Sequence, residues 1–312
     1  MAAGAQCLPR LGMALAFLML VGCQDLRQFM SRSRSEFGPG APCVLAQHAS
    51  TPEIIAHVNN NAASIRSWQT HNASISSPGI PFSVTASIVV EAPRNFRMVA
   101  RSPLGPEVDL GSNAEHYWFW SRDDKSKRIY LANHETESGA PLNASMPFQP
   151  EWIMEAMGVI PLDPTRVVEV NRDPQAGTVT LSEDRVSPQG QPLRKVTVVN
   201  LCHGLVTEHA LVDGQGRLIA RAQLLNHVRD PASRAVLPAK IHLVWPVAKI
   251  DMVMALGTIE VNAGPIRRST FTVQKYNGCE VFQVGGDDGA AIGNAGGLNG
   301  LPTDSYEEVD AN

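Results

Sequence analysis

Hydrophobic positions change period several times along the chain, and each change marks an element. From Ser50 onward, Ile54, Ile55, Val58, Ala62 and Ile65 recur at helical spacing, which puts one apolar stripe on a helix. Ser50-Thr51-Pro52-Glu53 in front of them has capping-box spacing and a proline in the first turn. The period then falls to two. Phe82, Val84, Ala86, Ile88 and Val90 alternate with Ser83, Thr85 and Ser87, so one sheet face is apolar and the other largely hydroxylic. Past Pro93, Phe96, Met98 and Ala100 alternate with Arg97, Val99 and Arg101, and shorter runs at 107–111, 116–121 and 128–132 continue an antiparallel meander. Pro147-Phe148-Gln149-Pro150-Glu151 interrupts the series. Behind it, Trp152, Ile153, Ala156 and Met157 predict an amphipathic helix closed by Gly158. Strand patterns resume at 167–170, 178–181, 195–201, 206–212, 217–225, 240–245, 249–254, 257–261 and 270–276, with Asp213-Gly214-Gln215-Gly216 as a hairpin signal.

More than a dozen strands and two helices predict a mainly β fold: an unclosed, curled antiparallel sheet, or half-barrel, with helices covering its open side. A flat open sheet of that size is unusual, so it must curl. The expected domain spans 50–283, and no repeat at solenoid or propeller period occurs in it.

The N-terminus bears on compartment. Arg10 precedes an apolar run from Leu11 to Val21, the h-region of a signal peptide and shorter than the roughly 20 residues of a membrane span. The run ends at Leu20-Val21-Gly22-Cys23, which resembles the bacterial lipobox, whose cysteine thiol receives a diacylglyceryl group before cleavage. Residues 1–22 are thus a lipoprotein signal, 23–49 a lipidated tether containing a Ser-Arg run and Gly-Pro-Gly, and 284–312 a glycine-rich acidic tail expected to be disordered. With 26 basic and 30 acidic residues the net charge is −4, and six of the acids lie in that tail, so the central body is near neutral. Such a balance does not hold nucleic acid by bulk electrostatics. Cys7 leaves with the signal and Cys23 is alkylated. Of Cys43, Cys202 and Cys279, the last two lie near strands and form the expected disulfide.

Catalytic and metal-binding signatures are missing from the sequence. None of the nine histidines forms an H-x-x-x-H or H-E-x-x-H pair, and no G-x-S-x-G, P-loop or dinucleotide fingerprint occurs. Cys202 and His203 are adjacent, so on a strand they would face opposite ways. No cofactor, metal or catalytic group is therefore expected. Apolar features stand out instead. Tyr117-Trp118-Phe119-Trp120 puts large rings on both faces of one strand, and Trp152, Met154 and Met157 make the inserted helix large and adaptable. In Arg101-Ser102-Pro103-Leu104-Gly105-Pro106, two prolines and a glycine define a rigid turn whose only bulky member is Leu104. A leucine at such a tip either folds back onto the sheet or enters a membrane or a partner.

Three segments carry a family likeness: SPLGPEVDLGSN (102–113), PFQPEWIMEAMGVIPL (147–162), and LPAKIHLVWP with KIDMVMALGTIEVN (237–262). In this order they resemble the LolA/LolB lipoprotein-localisation family, its outer-membrane receptor branch most closely, over roughly residues 50–262. The resemblance implies an unclosed barrel lidded by helices, with an apolar cavity for lipoprotein acyl chains. It also implies a protruding leucine, matched here by Leu104, that helps insert cargo into the membrane. The cavity lining expected from it is Phe82, Val84, Ile88, Phe96, Met98, Val108, Leu110, Trp152, Ile153 and Met157. Expected partners are acylated lipoproteins or lipids, a soluble LolA-like carrier that delivers them, and the membrane itself through the anchor. The chain departs from the family in its longer tether, its extra sequence around 183–235 and its tail.

Gln24 rather than Asp follows the lipidated cysteine, which favours the outer membrane as destination. A sensor or interaction module of the same fold, without transfer, is the alternative. Replacing the lipidated residue (Cys23→Ser) should release the protein from the membrane fraction, as read by fractionation of the envelope; retention would contradict the anchor.

Overall fold

The structure is a computed structural model that describes residues 43–46, 48–78, 82–134, 150–186, 191–246, 249–284 and 306–308. The signal, Cys23, most of the tether and most of the tail lie outside these residues. The first part of the chain runs through α1 (Thr51–Ala63), β1 (Ser67–Ser76), β2 (Val84–Glu91), β3 (Asn95–Ser102), β4 (Gly105–Ser112), β5 (His116–Ser121), β6 (Arg128–Asn133) and α2 (Pro150–Ala156). There follow β7 (Val167–Asp173), β8 (Thr178–Val186), β9 (Pro192–Asn200), β10 (Leu205–Asp213), β11 (Leu218–Arg229), β12 (Val236–Trp245), β13 (Ile250–Ala255) and β14 (Glu260–Val261). A 3₁₀ turn (Arg268–Phe271) leads to β15 (Val273–Lys275), β16 (Glu280–Val284) and β17 (Tyr306–Glu308).

One 15-stranded sheet has the order β16-β6-β5-β4-β3-β2-β1-β13-β12-β11-β10-β9-β8-β7, with β14 paired to β1, and its two end strands do not meet. The half-barrel expected from the sequence is therefore the observed fold. Within this sheet pairing is antiparallel, apart from β16 alongside β6, and β15 pairs separately with β17 in parallel. The meander β1–β6 and the second meander β7–β13 join where β1 pairs β13, Ser74 opposite Ala255. β1 escapes the sequence pattern because its register shifts between Thr70 and Ala73, which breaks the alternation in a polar segment. At 270–276 the expected strand is instead the 3₁₀ turn and the three residues of β15.

Helix α1 begins as its sequence requires: the Glu53 carboxylate accepts from the Ser50 backbone N–H at 2.6 Å and its hydroxyl at 2.8 Å. Its Ile54 and Ile55 pack on Val179, Leu181 and Val199, covering the β8–β9 wing. Two asparagines on α1 imitate strand pairing. Asn59 exchanges hydrogen bonds with the Leu162 backbone (2.8 and 2.7 Å), and Asn61 does so with Val236 (2.9 and 2.8 Å). The helix thereby ties the segment after α2 to the start of β12.

The disulfide joins Cys43 to Cys202, with Cα atoms 4.4 Å apart, and not Cys202 to Cys279. Sequence order hides the reason. Cys202 sits in the β9–β10 turn, where its carbonyl accepts the Val44 N–H at 2.7 Å, so the end of the expected tether is held against the body. Cys279 stays free near the other sheet edge, beneath the Trp120 Nε1 at 3.4 Å. That turn also brings the Cys202 Sγ within 3.7 Å of His203 Nδ1, which a strand would not allow. With Cys43, these make three donors within 4.8 Å, two of them consumed in the disulfide.

The aromatic strand β5 is covered on both faces. Trp118 and Trp120 lie under the C-terminal segment with Val273 and Tyr276, while Phe119 packs against the main core. Tyr276 stacks on Trp120 with centroids 3.6 Å apart. Its hydroxyl donates to the fully buried Asp109 at 2.7 Å, which also accepts from Trp118 Nε1 (3.2 Å) and pairs with Arg97 (2.9 Å). Gly111 of β4 lets the Trp118 ring lie flat, since a Cβ there would sit 2.1 Å from the ring. Gly111→Ala should therefore destabilise the fold by about 1–3 kcal/mol through overpacking, seen as a lower thermal midpoint; an unchanged midpoint would mean the C-terminal cover is loose.

Candidate functional site

The sheet curls around α2. Four residues of this helix, Trp152, Ile153, Met154 and Ala156, and the following Met157, are buried in one cluster with strands from both meanders. Gly158 at φ +76° stops the helix, and its N–H and that of Val159 close on the carbonyls of Glu155 (3.0 Å) and Met154 (3.3 Å). Against α2 the strands present Ile88, Phe96, Met98, Leu110, Leu224, Ile241 and Leu243, together with alanines at 86, 100, 220 and 222. Ala86 pairs with Ala100 directly, so the small residues open a depression for the larger rings. Trp152 meets Trp245 edge-on at 4.8 Å.

Of the expected cavity lining, Ile88, Phe96, Met98, Leu110, Trp152, Ile153 and Met157 are thus brought together, and Val84 and Val108 pack partly buried against them. Phe82 is a correction: it is 66% exposed. β1 ends at Ser76 and Ile75 pairs with Val84, so no ladder partner is left to hold Phe82 in the sheet. Among the described residues, the side chains of α2 pack against the concave face where the resemblance implies an apolar cavity. A cavity of about 50 Å³ lies beside it, between α1, the end of α2 and β10–β12, lined by Val58, Gly158, Leu162, Val206, His209 and Leu224 among others. This is well below the roughly 300–1,000 Å³ of small-molecule pockets.

Sequence reasoning missed the polar fastening of α2. Glu155 points from the helix into the sheet, where its carboxylate meets Arg185 at 2.7 Å and Lys195 at 3.1 Å. Glu183 receives the same two cations at 3.2 and 3.3 Å, which closes a square of two acids and two bases. Glu155, Glu183 and Lys195 are buried. The available signal was Glu155 alone within the apolar stretch Trp152-Ile153-Met154-Glu155-Ala156-Met157. Beside the square, His209 is completely enclosed, and burial, then Lys195 and Arg185, push its pKa well below the usual histidine value. His227 donates from Nε2 to the Val206 carbonyl at 3.1 Å, and burial lowers its pKa to about 4. Both rings are neutral at neutral pH, and the charges of the square are spent on one another.

The rim of the sheet holds the other expected residue. Leu104 is 82% exposed at the β3–β4 turn. Its N–H donates to Ser102 Oγ at 3.0 Å, and Arg122 Nη2 donates to its carbonyl at 2.9 Å, so the backbone of the tip is fixed while the side chain points outward.

No family model matches the sequence, and no curated protein does. Solved structures do resemble it in shape. A DUF1329 family protein from Desulfovibrio piger has a TM-score of 0.46 at 10% identity, over 70% of this chain and 96% of its own. A domain described as an outer-membrane lipoprotein-sorting protein from Vibrio parahaemolyticus has a TM-score of 0.45 at 8% identity, over 69% and 95%. A LolA superfamily protein from Nitrosomonas europaea has a TM-score of 0.44 at 11% identity, over 70% and 97%.

Removing one cation from the square strands buried carboxylate charge. Lys195→Met should cost about 3–5 kcal/mol of stability in denaturant unfolding; a loss under about 1 kcal/mol would mean that water already screens these charges.

Proposed function

We propose that this chain is a lipid-anchored envelope lipoprotein that takes the acyl chains of lipidated cargo into the concave face of its half-barrel and helps insert that cargo into the outer membrane. The observation that carries the reading is Leu104, a bulky apolar side chain held out from a braced turn. Moving a leucine side chain from water into hydrocarbon gains about 1.5–3 kcal/mol, and its own domain offers it no such place. The lipobox at Cys23, the three ordered motifs and the exposed tip all point to the same role.

The filled interior fits this role if cargo exchanges with α2. Four large side chains of the helix segment, Trp152, Ile153, Met154 and Met157, are worth about 6–12 kcal/mol of burial together. An acyl chain of some fifteen methylenes gains about 12 kcal/mol on entering the same dry space. The indole N–H of Trp152 is buried with no acceptor among the described residues. Leaving it so costs about 1–3 kcal/mol, which lowers the penalty for lifting α2. Two nearly balanced occupants permit loading and release without a chemical energy source, and a soluble LolA-like carrier would supply the cargo. The function read here is binding and handover; among the described residues the interior charges pair with one another.

The packed interior also favours a second reading, an envelope interaction module that carries nothing. Two measurements separate them. Native mass spectrometry of the chain from Gln24 onward, which keeps every residue of the described fold, should reveal co-purified lipid. Leu104→Glu should leave binding of a fluorescent acyl probe unchanged and reduce transfer of a lipoprotein to liposomes at least tenfold; full transfer by that variant would remove the insertion role.

A further inference from the structure

Strand polarity gathers a second apolar group and several cations at the same end of the sheet as Leu104. β3 ends at Ser102 and β4 starts at Gly105, while Thr85 near the start of β2 pairs with Arg101 near the end of β3. Phe82, just before β2, is therefore at this end, as are the β5–β6 loop with Lys125 and Lys127 and the β12–β13 loop with Lys249. Arg122 links the groups, since it donates to the Leu104 carbonyl. Phe82 is 66% exposed.

The ion pairing at this end is lopsided. Its acids are mostly engaged: Glu107 by Ser102 and Arg122, Asp124 by the hydroxyl and N–H of Ser126, and Asp251 by His242 at 2.7 Å. Asp123 is exposed beside Lys125. Arg101, Lys125, Lys127 and Lys249 are exposed and make no ion pair among the described residues. A surface with two protruding apolar side chains and a collar of free cations matches a bilayer whose headgroups are anionic, where hydrocarbon receives the wedges and phosphates meet the bases. A neutral bilayer would leave the collar unanswered.

We propose that this end is a membrane-docking rim selective for anionic lipid, with Phe82 as a second wedge beside Leu104 and Arg101, Lys125, Lys127 and Lys249 as its headgroup contacts. The proposal rests on the reading that the Leu104 tip meets a membrane, and it adds the second wedge and the lipid class. The disulfide lies in the β9–β10 turn at the opposite end. Residues 24–42 between the anchor and that disulfide can reach about 60 Å when extended, about twice the length of a ten-residue strand. The anchored protein can therefore lay this rim on the membrane that holds it.

The test uses the chain from Gln24 onward, without cargo, sedimented with vesicles of phosphatidylcholine alone or mixed with phosphatidylglycerol. Binding should be at least tenfold tighter to the mixed vesicles and should fall with added salt. Phe82→Ala should weaken it about tenfold, and the triple change Arg101→Gln, Lys125→Gln and Lys127→Gln should abolish the preference for phosphatidylglycerol. Equal affinity for both vesicles, absence of binding to either, or wild-type affinity in the triple variant would overturn the proposal. Acyl-probe binding by the same variants should be unchanged because none of the four side chains belongs to the apolar cluster around α2. Loss of probe binding in the unaltered chain would instead count against the carrier reading and leave the rim standing.

Discussion

A curled sheet that does not close has a concave apolar face that water must not reach, and the strands cannot cover it themselves. In this protein the cover is the Trp152–Met157 segment, pressed into a depression made by alanines on facing strands. The remaining arrangement follows from that need. Both meanders contribute to the cluster under α2, so the helix holds the two halves of the sheet at their curvature. The segment leaving α2 is fastened to α1 by Asn59, and α1 in turn covers the β8–β9 wing.

Apolar burial alone would let such a short helix settle in several orientations. The square of Glu155, Glu183, Arg185 and Lys195 selects one, because a misplaced Glu155 would leave buried charge without a partner. Desolvating four charges offsets much of their attraction, so the square contributes more to orientation than to net stability. A cover that is well oriented yet only moderately held suits the exchange of occupants proposed for this face. The convex side follows a different logic. There the Asp109 cluster and the Trp120–Tyr276 stack make the C-terminal cover part of the permanent fold.

The sequence was legible where local chemistry decides the outcome. Ser50 and Glu53 announce α1, strict alternation announces β2 and β3, and the prolines around Leu104 announce a rigid turn. It was silent where distant segments decide. The bulge in β1 is set by its neighbours, so this central strand carries no sustained alternation in the sequence. Cys43 meets Cys202 because the β9–β10 turn lies against the chain entering α1, which no spacing rule conveys. Phe82 continues an apolar alternation, but its strand begins two residues later where pairing with β1 starts. Glu155 pairs with bases about 30 and 40 residues away in sequence, a relation visible only once the sheet has curled. Seven of the ten expected lining residues nevertheless share one cluster, since inward phase along a strand is itself a local property.

In the proposed function, hydrocarbon and α2 compete for one concave face. Hydrogen exchange of residues 152–157, with and without a saturating long-chain acyl ligand, tests it most directly. Loading should speed exchange in this segment, while the amides of β2, β3 and β12 keep or gain protection. Ligand bound with the exchange of α2 unchanged would contradict it, because the tail would then be held somewhere other than the space the helix fills.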